Sequence, residues 1–296
     1  MLRSNYSQYQ AHMPHPRNMK TSIAAFSGMI AREEVGCFVK TEDGFAISLR
    51  NEIVFLDRRC HVISKHLYDG LVVAINDTDI GTIVVNAKGD VDVINANQIE
   101  NIFSGKECSV ASFSYHKTFI SQENKEILTI YNTGEYGLSA PADDPNIIHV
   151  SDDGNSLAVG SKGGALTIFG PNLQTSHHSP PRDDDVEVIS AICSDGRGRF
   201  LVSRSSLGLV VDERAVNRVE LWDIKKGLIM EAEVPSRITC IAPRQNGYVA
   251  GCFEGEVILI DQDLQVSTIS KSEYTISDVL EWEGDIIFSC WFFVER

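Results

Sequence analysis

Beyond residue 33 the chain alternates between apolar runs of four to six residues and polar clusters rich in Gly, Asn, Asp and Ser. Few stretches carry the 3.6-residue period of an amphipathic helix, so the pattern predicts strands joined by tight turns. The recurring unit is a hairpin of two apolar strands around a polar turn. Copies of this hairpin lie at 44–57, 82–95, 127–139, 156–170, 199–223 and 247–261. Repetition of one supersecondary unit indicates a repeat architecture.

The spacing of the hairpins narrows the architecture. Their second strands end at Leu56, Ile94, Leu138, Phe169, Trp222 and Ile260. The mean interval is about 41 residues, close to the roughly 40–45 residues of a four-stranded propeller blade. One interval is longer, and we interpret 204–217 as an insertion in that hairpin. Apolar runs that start near 71, 146, 186 and 237 precede several hairpins and are candidates for the innermost strands.

Stacking of small sheets around an axis buries the apolar faces that an isolated hairpin would expose. We therefore expect an all-β protein: a β-propeller of about six to seven four-stranded blades over 34–296, with the last blade incomplete. The chain ends without the outer strands of that blade. Either the N-terminal segment supplies them or the chain is a fragment of a longer propeller-plus-solenoid protein, and we favour the fragment. Residues 1–33 are predicted to be a disordered leader, because Pro14 and Pro16 interrupt any amphipathic helix there.

One segment resembles a known repeat family. The sequence SDDGNSLAVGSKGGALTIF, at 151–169, is similar to the turn–strand–turn–strand core of WD40 repeats, and Trp222-Asp223 stands where that family has its WD dipeptide. The family's Gly-His dipeptide is missing from every copy. The resemblance implies a divergent WD40-like propeller.

Four further segments resemble the N-terminal propeller of the Rod (Rough deal) family of kinetochore proteins. They are DGFAISLRNEIVFLD at 43–57, KGDVDVI at 88–94, ILTIYNTGEYGL at 127–138 and VELWDIKKGLIMEAEVP at 219–235. The resemblance implies a subunit of the Rod–Zwilch–Zeste-white-ten complex, with Zwilch-like partners, dynein recruitment and checkpoint signalling at the mitotic kinetochore and spindle. The alternative is a propeller scaffold of another assembly, such as a vesicle coat or a tethering complex.

Charge and cysteine content restrict the partners. The net charge of −15 and the pI of about 4.9 argue against direct binding of nucleic acid or anionic membrane. We expect protein partners that present a basic face. Seven scattered cysteines without a CxxC pair indicate a reducing, intracellular compartment, cytoplasm or nucleus. No apolar stretch approaches the roughly 20 residues that span a bilayer.

Candidate chemistry is sparse. The sequence has no phosphate-binding GxxxxGK[ST] loop and no GxSxG elbow. His177 and His178 precede the acidic run 183–185, but adjacent residues of an extended chain point to opposite sides, so we expect no metal site. His149 is expected to be structural, in the core or the central channel. We predict no cofactor and no enzyme activity; a propeller enzyme with its residues gathered at the channel is the rival hypothesis.

The insertion is the candidate partner-binding element. Its LGLVV sequence is apolar, although the segment is expected to extend away from the blade. An exposed apolar hairpin is a candidate docking edge. The alternative, that it packs over its own blade, is equally open. The candidate partner-binding residues are Leu207, Leu209, Val210, Val211, Asp212 and Glu213.

Overall fold

The computed structural model describes residues 35–49, 52–59, 61–95, 98–181, 187–206, 216–282 and 284–290. Within these ranges the protein is built from strands, with one 3-10 turn at Pro171–Leu173. The expectation of an all-β propeller with few helices is confirmed. We number the sheets as blades 1 to 7 in chain order.

Blades 1 to 3 hold twelve strands. They are β1 Val35–Lys40, β2 Gly44–Leu49, β3 Glu52–Asp57, β4 Val62–Leu67; β5 Val72–Thr78, β6 Gly81–Asn86, β7 Val91–Asn95, β8 Gln98–Phe103; and β9 Ala111–Phe113, β10 Lys117–Gln122, β11 Glu126–Tyr131, β12 Tyr136–Pro141.

Blades 4 to 7 hold the remaining strands. They are β13 Pro145–Val150, β14 Leu157–Ser161, β15 Leu166–Phe169, β16 Thr175–Ser179; β17 Glu187–Ser194, β18 Arg199–Ser206, β19 Asn217–Asp223, β20 Gly227–Glu233; β21 Ile238–Arg244, β22 Gly247–Cys252, β23 Glu256–Asp261, β24 Val266–Lys271; and β25 Ile276–Trp282, β26 Asp285–Cys290.

Each of the first six blades is a four-stranded antiparallel sheet whose strands pair in sequence order, and blade 7 has two strands among the described residues. The first strands of successive blades contact one another, so they line the axis of the ring. The second and third strands are almost wholly buried, whereas fourth strands such as β4 and β24 are mostly exposed. Burial on both faces explains why the second and third strands have nearly continuous apolar sequences.

The hydrophobic core lies between the blades. Six clusters of buried side chains each join one blade to the next, from blades 1 and 2 to blades 6 and 7. Between blades 4 and 5, for example, Ile168 packs with Phe200 and Trp222. A single blade therefore has no core of its own, and stability depends on its neighbours.

The third hairpin of the sequence prediction was assigned to the wrong strands. Residues 127–139 form β11 and β12, the third and fourth strands of blade 3, whereas the other copies are second and third strands. Ile130 on β11, which pairs with Thr118, therefore corresponds to Ile94 and Phe169. With Ile130 in place of Leu138 the two adjoining intervals become 36 and 39 residues. Every hairpin of a blade has the same strand–turn–strand pattern, so the local sequence does not reveal its position in the blade.

Candidate interaction site on blades 4 and 5

Antiparallel pairing sorts the loops onto two faces of the ring. The turns between the first and second and between the third and fourth strands lie at one end of each blade, which we call the lower face. The turn between the second and third strands and the connection to the next blade lie at the other end, the upper face. The described ends of the β18–β19 connection, Ser206 and Val216, therefore lie on the upper face.

The ladder at the base of this loop is the longest uninterrupted one among the described strands. β18 and β19 pair continuously from Arg199 and Asp223 to Ser205 and Asn217. The pairing includes both ends of the predicted insertion 204–217, so the loop proper begins after Ser206. Leu207, Leu209, Val210, Val211, Asp212 and Glu213 lie outside the described residues, and their role stays a prediction.

A buried ion network holds the base of this loop. The side chain of Arg204 is completely buried and donates from Nε to Oε2 of Glu220, which is also buried, at 3.0 Å. Arg218 bridges Glu220 and a second carboxylate, Glu187. It donates from Nε to Oε1 of Glu220 at 3.1 Å and from a terminal nitrogen to Glu187. The indole of Trp222 donates to Oε2 of Glu220 at 2.9 Å. Buried charges persist only when they are paired and hydrogen-bonded, and these are.

The protonation states follow from these contacts. Burial alone would raise the pKa of Glu220, but Arg204, Trp222 and Arg218 outweigh it and hold that pKa below its ordinary value. Burial alone would likewise lower the pKa of Arg218. The hydrogen bond to Glu220 and the charge of Glu187 outweigh burial and raise this pKa above its ordinary value. Both shifts favour the ionised forms of Glu220 and Arg218 at neutral pH.

Arg204 also ties blade 5 to blade 4. Its terminal nitrogens donate to the carbonyl of Gly164, in the upper turn of blade 4, and to Oγ of Ser179 at 3.1 Å. Gly164 has a φ of +81°, and a Cβ there would lie 2.4 Å from the carbonyl oxygen of Glu187. Only glycine allows this close approach. The upper edges of blades 4 and 5 are thus joined by direct hydrogen bonds and by a close backbone approach.

Sequence reasoning did not find this network. The available signal was charge inside otherwise apolar strands: Arg204 in RFLVSRSS and Glu220 in RVELWD. A charged residue at a position that alternation assigns to the core requires a buried partner. The sequence alone does not say which partner.

The histidines are explained without a metal. His177 and His178 are paired strand residues of β16: Nε2 of His177 lies 3.0 Å from the carbonyl oxygen of Ile224, and Nδ1 of His178 lies 3.1 Å from Oγ1 of Thr167. The described part of the chain has no cluster of three or more His, Cys, Asp or Glu side chains with metal-binding geometry. The acidic residues 183–185 lie outside it. His149 is half-buried on β13, and burial lowers its pKa to about 4.

Two aspartates cap turns at the ends of strands. Asp153 accepts hydrogen bonds from Oγ of Ser151 and from the backbone of Asn155, and these bonds lower its pKa. Asp223, at the position of the WD dipeptide, accepts from the backbone of Lys225 and Lys226 at the end of β19. Both are aspartates that cap their own turns.

Comparison with known proteins identifies the fold. Solved structures that match include the WD40 domain of Neurospora crassa Pan2, at 12% identity with a TM-score of 0.66, covering 84% of this chain and 83% of that one. Saccharomyces cerevisiae Sqt1 matches at 13% identity with a TM-score of 0.64, covering 86% and 81%. The fold is a WD40-like propeller.

A third solved structure also matches the chain. Kuenenia stuttgartiensis hydrazine synthase aligns at 17% identity with a TM-score of 0.61, covering 77% of this chain and 76% of that one. No protein-family model and no curated protein sequence matches the chain. At these identities the matches show the fold alone. In the portion that the structure describes, no helix is long and apolar enough to cross a membrane.

Proposed function

We propose that this chain is a non-catalytic propeller scaffold that holds partner proteins, with the loop at 207–215 as its docking edge. The observation that carries the proposal is the buried network of Arg204, Glu220, Arg218 and Glu187, which fixes the base of this loop and joins it to blade 4. A rigid base reduces the conformational entropy that docking costs.

The composition of the loop fits a docking edge. It carries an apolar stretch, LGLVV, followed by Asp212 and Glu213. Val216, the first described residue after it, is 47% exposed although it is apolar. An apolar centre with an acidic margin suits a partner that offers an apolar pocket rimmed by basic residues, and the net charge of −15 steers such a partner toward the ring.

At a finer level, we propose that the scaffold acts as a Rod-like subunit of the Rod–Zwilch–Zeste-white-ten complex at mitotic kinetochores. Support comes from the order and spacing of four sequence segments that resemble the Rod propeller. A scaffold of a vesicle coat or a tethering complex is the competing outcome of the experiment that follows.

The test replaces residues 207–215 with Asn-Gly, a turn that closes a two-residue hairpin between Ser206 and Val216. The strand pairs down to Ser205 and Asn217 are retained, so the variant should fold. The matched control is Phe253→Ser, which removes an exposed apolar side chain from the upper-face turn of blade 6. Wild type, loop variant and control are purified from mitotic cells, and their partners are identified by mass spectrometry.

We expect Zwilch-like and other kinetochore subunits with wild type and control, and their loss with the loop variant. Recovery of coat or tethering subunits instead contradicts the kinetochore assignment and leaves the scaffold role intact. Equal recovery of partners by all three proteins contradicts the docking edge.

A further inference from the structure

A small pocket opens on the lower face between blades 5 and 6. It lies between the β17–β18 turn, which contributes Asp195 and Arg197, and the β21–β22 turn, which contributes Gln245. Its remaining lining residues are Arg199, Leu221, Arg244, Gly247, Tyr248 and Gln262. Three arginines therefore converge at one site on a chain whose net charge is −15.

Tyr248 supplies the observation that points to a ligand. The residue is 4% exposed, and its hydroxyl is buried without a hydrogen-bond partner among the described residues. Burial raises the pKa of this phenol, and the charge of Asp195 adds to the effect, so it remains a hydrogen-bond donor. A buried hydroxyl with no partner is unfavourable, and an acceptor bound in the pocket would offset this cost.

The arginines are not equivalent. Arg199 forms a close pair with Asp195, with Nε and a terminal nitrogen at 2.7 and 2.6 Å from Oδ2. The other carboxylate oxygen of Asp195 accepts the backbone N–H groups of Arg197 and Arg199. Asp195 thus serves to shape the turn and does not engage the guanidinium of Arg197, for which the described residues provide no partner.

The third arginine is also only partly engaged. Arg244 donates from Nε to Glu281 at 3.0 Å, which leaves its terminal nitrogens available. Three guanidiniums line the pocket, and two of them are paired with a carboxylate, Arg199 with Asp195 and Arg244 with Glu281. The guanidinium N–H groups of arginine and the hydroxyl of a neutral phenol are donors that suit a tetrahedral or planar oxyanion.

The volume of the pocket limits the size of the anionic group that it can hold. Its volume is about 30 Å³, room for two or three water-sized groups at roughly 10–15 Å³ each. Pockets for whole nucleotides or drug-sized ligands are roughly ten times larger or more. A single phosphoryl group fits, and anything attached to it must lie outside.

We propose that this pocket is a phosphoryl-binding site, in which Arg197, Arg199, Arg244 and the hydroxyl of Tyr248 hold one phosphoryl group carried by a small anion or by a phosphorylated side chain. The site lies on the opposite face from Ser206 and Val216 and does not depend on the scaffold proposal. Its test needs no partner protein, so the two proposals fail separately.

The experiment titrates the full chain with inorganic phosphate by calorimetry, at constant ionic strength set with chloride. Arg197→Gln removes the guanidinium that has no partner, and because that side chain is exposed the fold should be unaffected. Tyr248→Phe removes only the hydroxyl. The matched control is Lys225→Gln, an exposed cation in the lower-face turn of β19 and β20.

We expect phosphate binding that weakens roughly tenfold or more in Arg197→Gln and roughly threefold to tenfold in Tyr248→Phe, since hydrogen bonds to charged groups contribute this much. Lys225→Gln should bind like the wild type. No phosphate binding, or an equal loss in all three variants, overturns the proposal, because the latter is what general screening of surface charge produces.

A second arm identifies the source of the phosphoryl group. A phosphoserine peptide and its unphosphorylated form compete with phosphate for the wild-type protein. Displacement by the phosphopeptide alone assigns the site to phosphorylated proteins. If neither peptide displaces bound phosphate, the site is one for a free anion. Displacement by both peptides equally contradicts phosphoryl recognition.

Discussion

At the scale of single residues, Asp278 differs from the other described acids with a shifted pKa, because its pKa is raised and theirs are lowered. It lies on β25 beside the channel, where burial raises its pKa to about 6 although Oδ1 accepts the backbone N–H of Val279. Its charge also raises the pKa of two thiols that burial has already raised, those of Cys37 on β1 and Cys240 on β21. Asp278 therefore lies between blades 6 and 1, where the ring closes.

The first prediction concerns Asp278→Asn. The folded-state pKa lies above the ordinary value of 3.8, so the native state holds the proton more tightly and loses stability as pH rises from about 4 to about 6. Asparagine retains the acceptor without the charge. The variant should be more stable than wild type by about 1–2 kcal/mol at pH 7.5, with the difference closing near pH 4.

Urea unfolding at several pH values measures this difference. Asp152→Asn, in an exposed turn, is the control. A gap between Asp278→Asn and wild type that stays constant with pH would show that the carboxyl does not titrate in this window.

The second prediction concerns Arg204→Met, which keeps the length of the side chain and removes its charge. Glu220 would remain buried with one guanidinium fewer, and the loss of one partner of a buried pair costs about 3–5 kcal/mol. Adding Glu220→Gln should recover part of this loss, because the uncompensated charge is removed. Denaturant midpoints report both effects.

The control for the second prediction is Arg59→Met, an exposed residue, which should change stability by less than about 0.5 kcal/mol. A loss in Arg204→Met no larger than that of the control would mean that the network contributes nothing to stability.

At the scale of elements, the innermost strands share an irregularity. The register with the second strand shifts once in β1, β5, β13, β17, β21 and β25. In several blades the residue at this bulge donates to a carbonyl of the next blade: Cys37 to Val73, Asn146 to Ile189, and Thr239 to Ile276. A bulge redirects one side chain out of the ladder, and here it points toward the neighbouring blade.

The third prediction tests this contact with Thr239→Val, which has nearly the same shape and the same preference for strands. The hydroxyl of Thr239 has one hydrogen to donate, and two carbonyl oxygens lie within reach of it, that of Ile276 at 2.5 Å and that of Gly251 at 3.0 Å. Its removal should cost about 1–3 kcal/mol, because partly buried acceptors lose their donor. Thr268→Val, on the exposed strand β24, is the control and should be nearly neutral. Equal stability of the two variants in urea would contradict a linking role.

At the scale of the whole molecule, the cores between blades predict cooperative unfolding. Each cluster needs side chains from two blades, so the loss of one blade exposes the faces of its neighbours. The thiols of Cys37, Cys193, Cys240 and Cys252 lie in blades 1, 5 and 6, and that of Cys108 lies in the connection between blades 2 and 3. All five are free. Burial raises the pKa of each, which suppresses the reactive thiolate.

The fourth prediction follows from these thiols. We expect all five to resist alkylation in the native protein and to become reactive over the same range of urea concentration. Mass spectrometry of the labelled peptides reads each cysteine separately. If Cys37 reacts well before Cys193, then the ring opens at blade 1 before the rest unfolds, and the cooperative description is wrong.

The sequence by itself determined the class of fold. Turn residues and apolar runs are local properties, so hairpins such as 82–95 and 247–261 could be predicted from their own residues, and their spacing implied blades. The position of a hairpin within its blade was ambiguous, as the third copy shows, because every pair of adjacent strands has the same pattern.

Only the tertiary structure decided which side chains meet. Arg204 reaches Gly164, forty residues earlier in the chain, and the phosphoryl pocket joins the β17–β18 turn to the β21–β22 turn. These contacts depend on how neighbouring blades are oriented and packed, a global property that no local pattern encodes. The order of the strands could therefore be predicted from the sequence. The side-chain contacts between blades could be identified only once the packing of the blades was known.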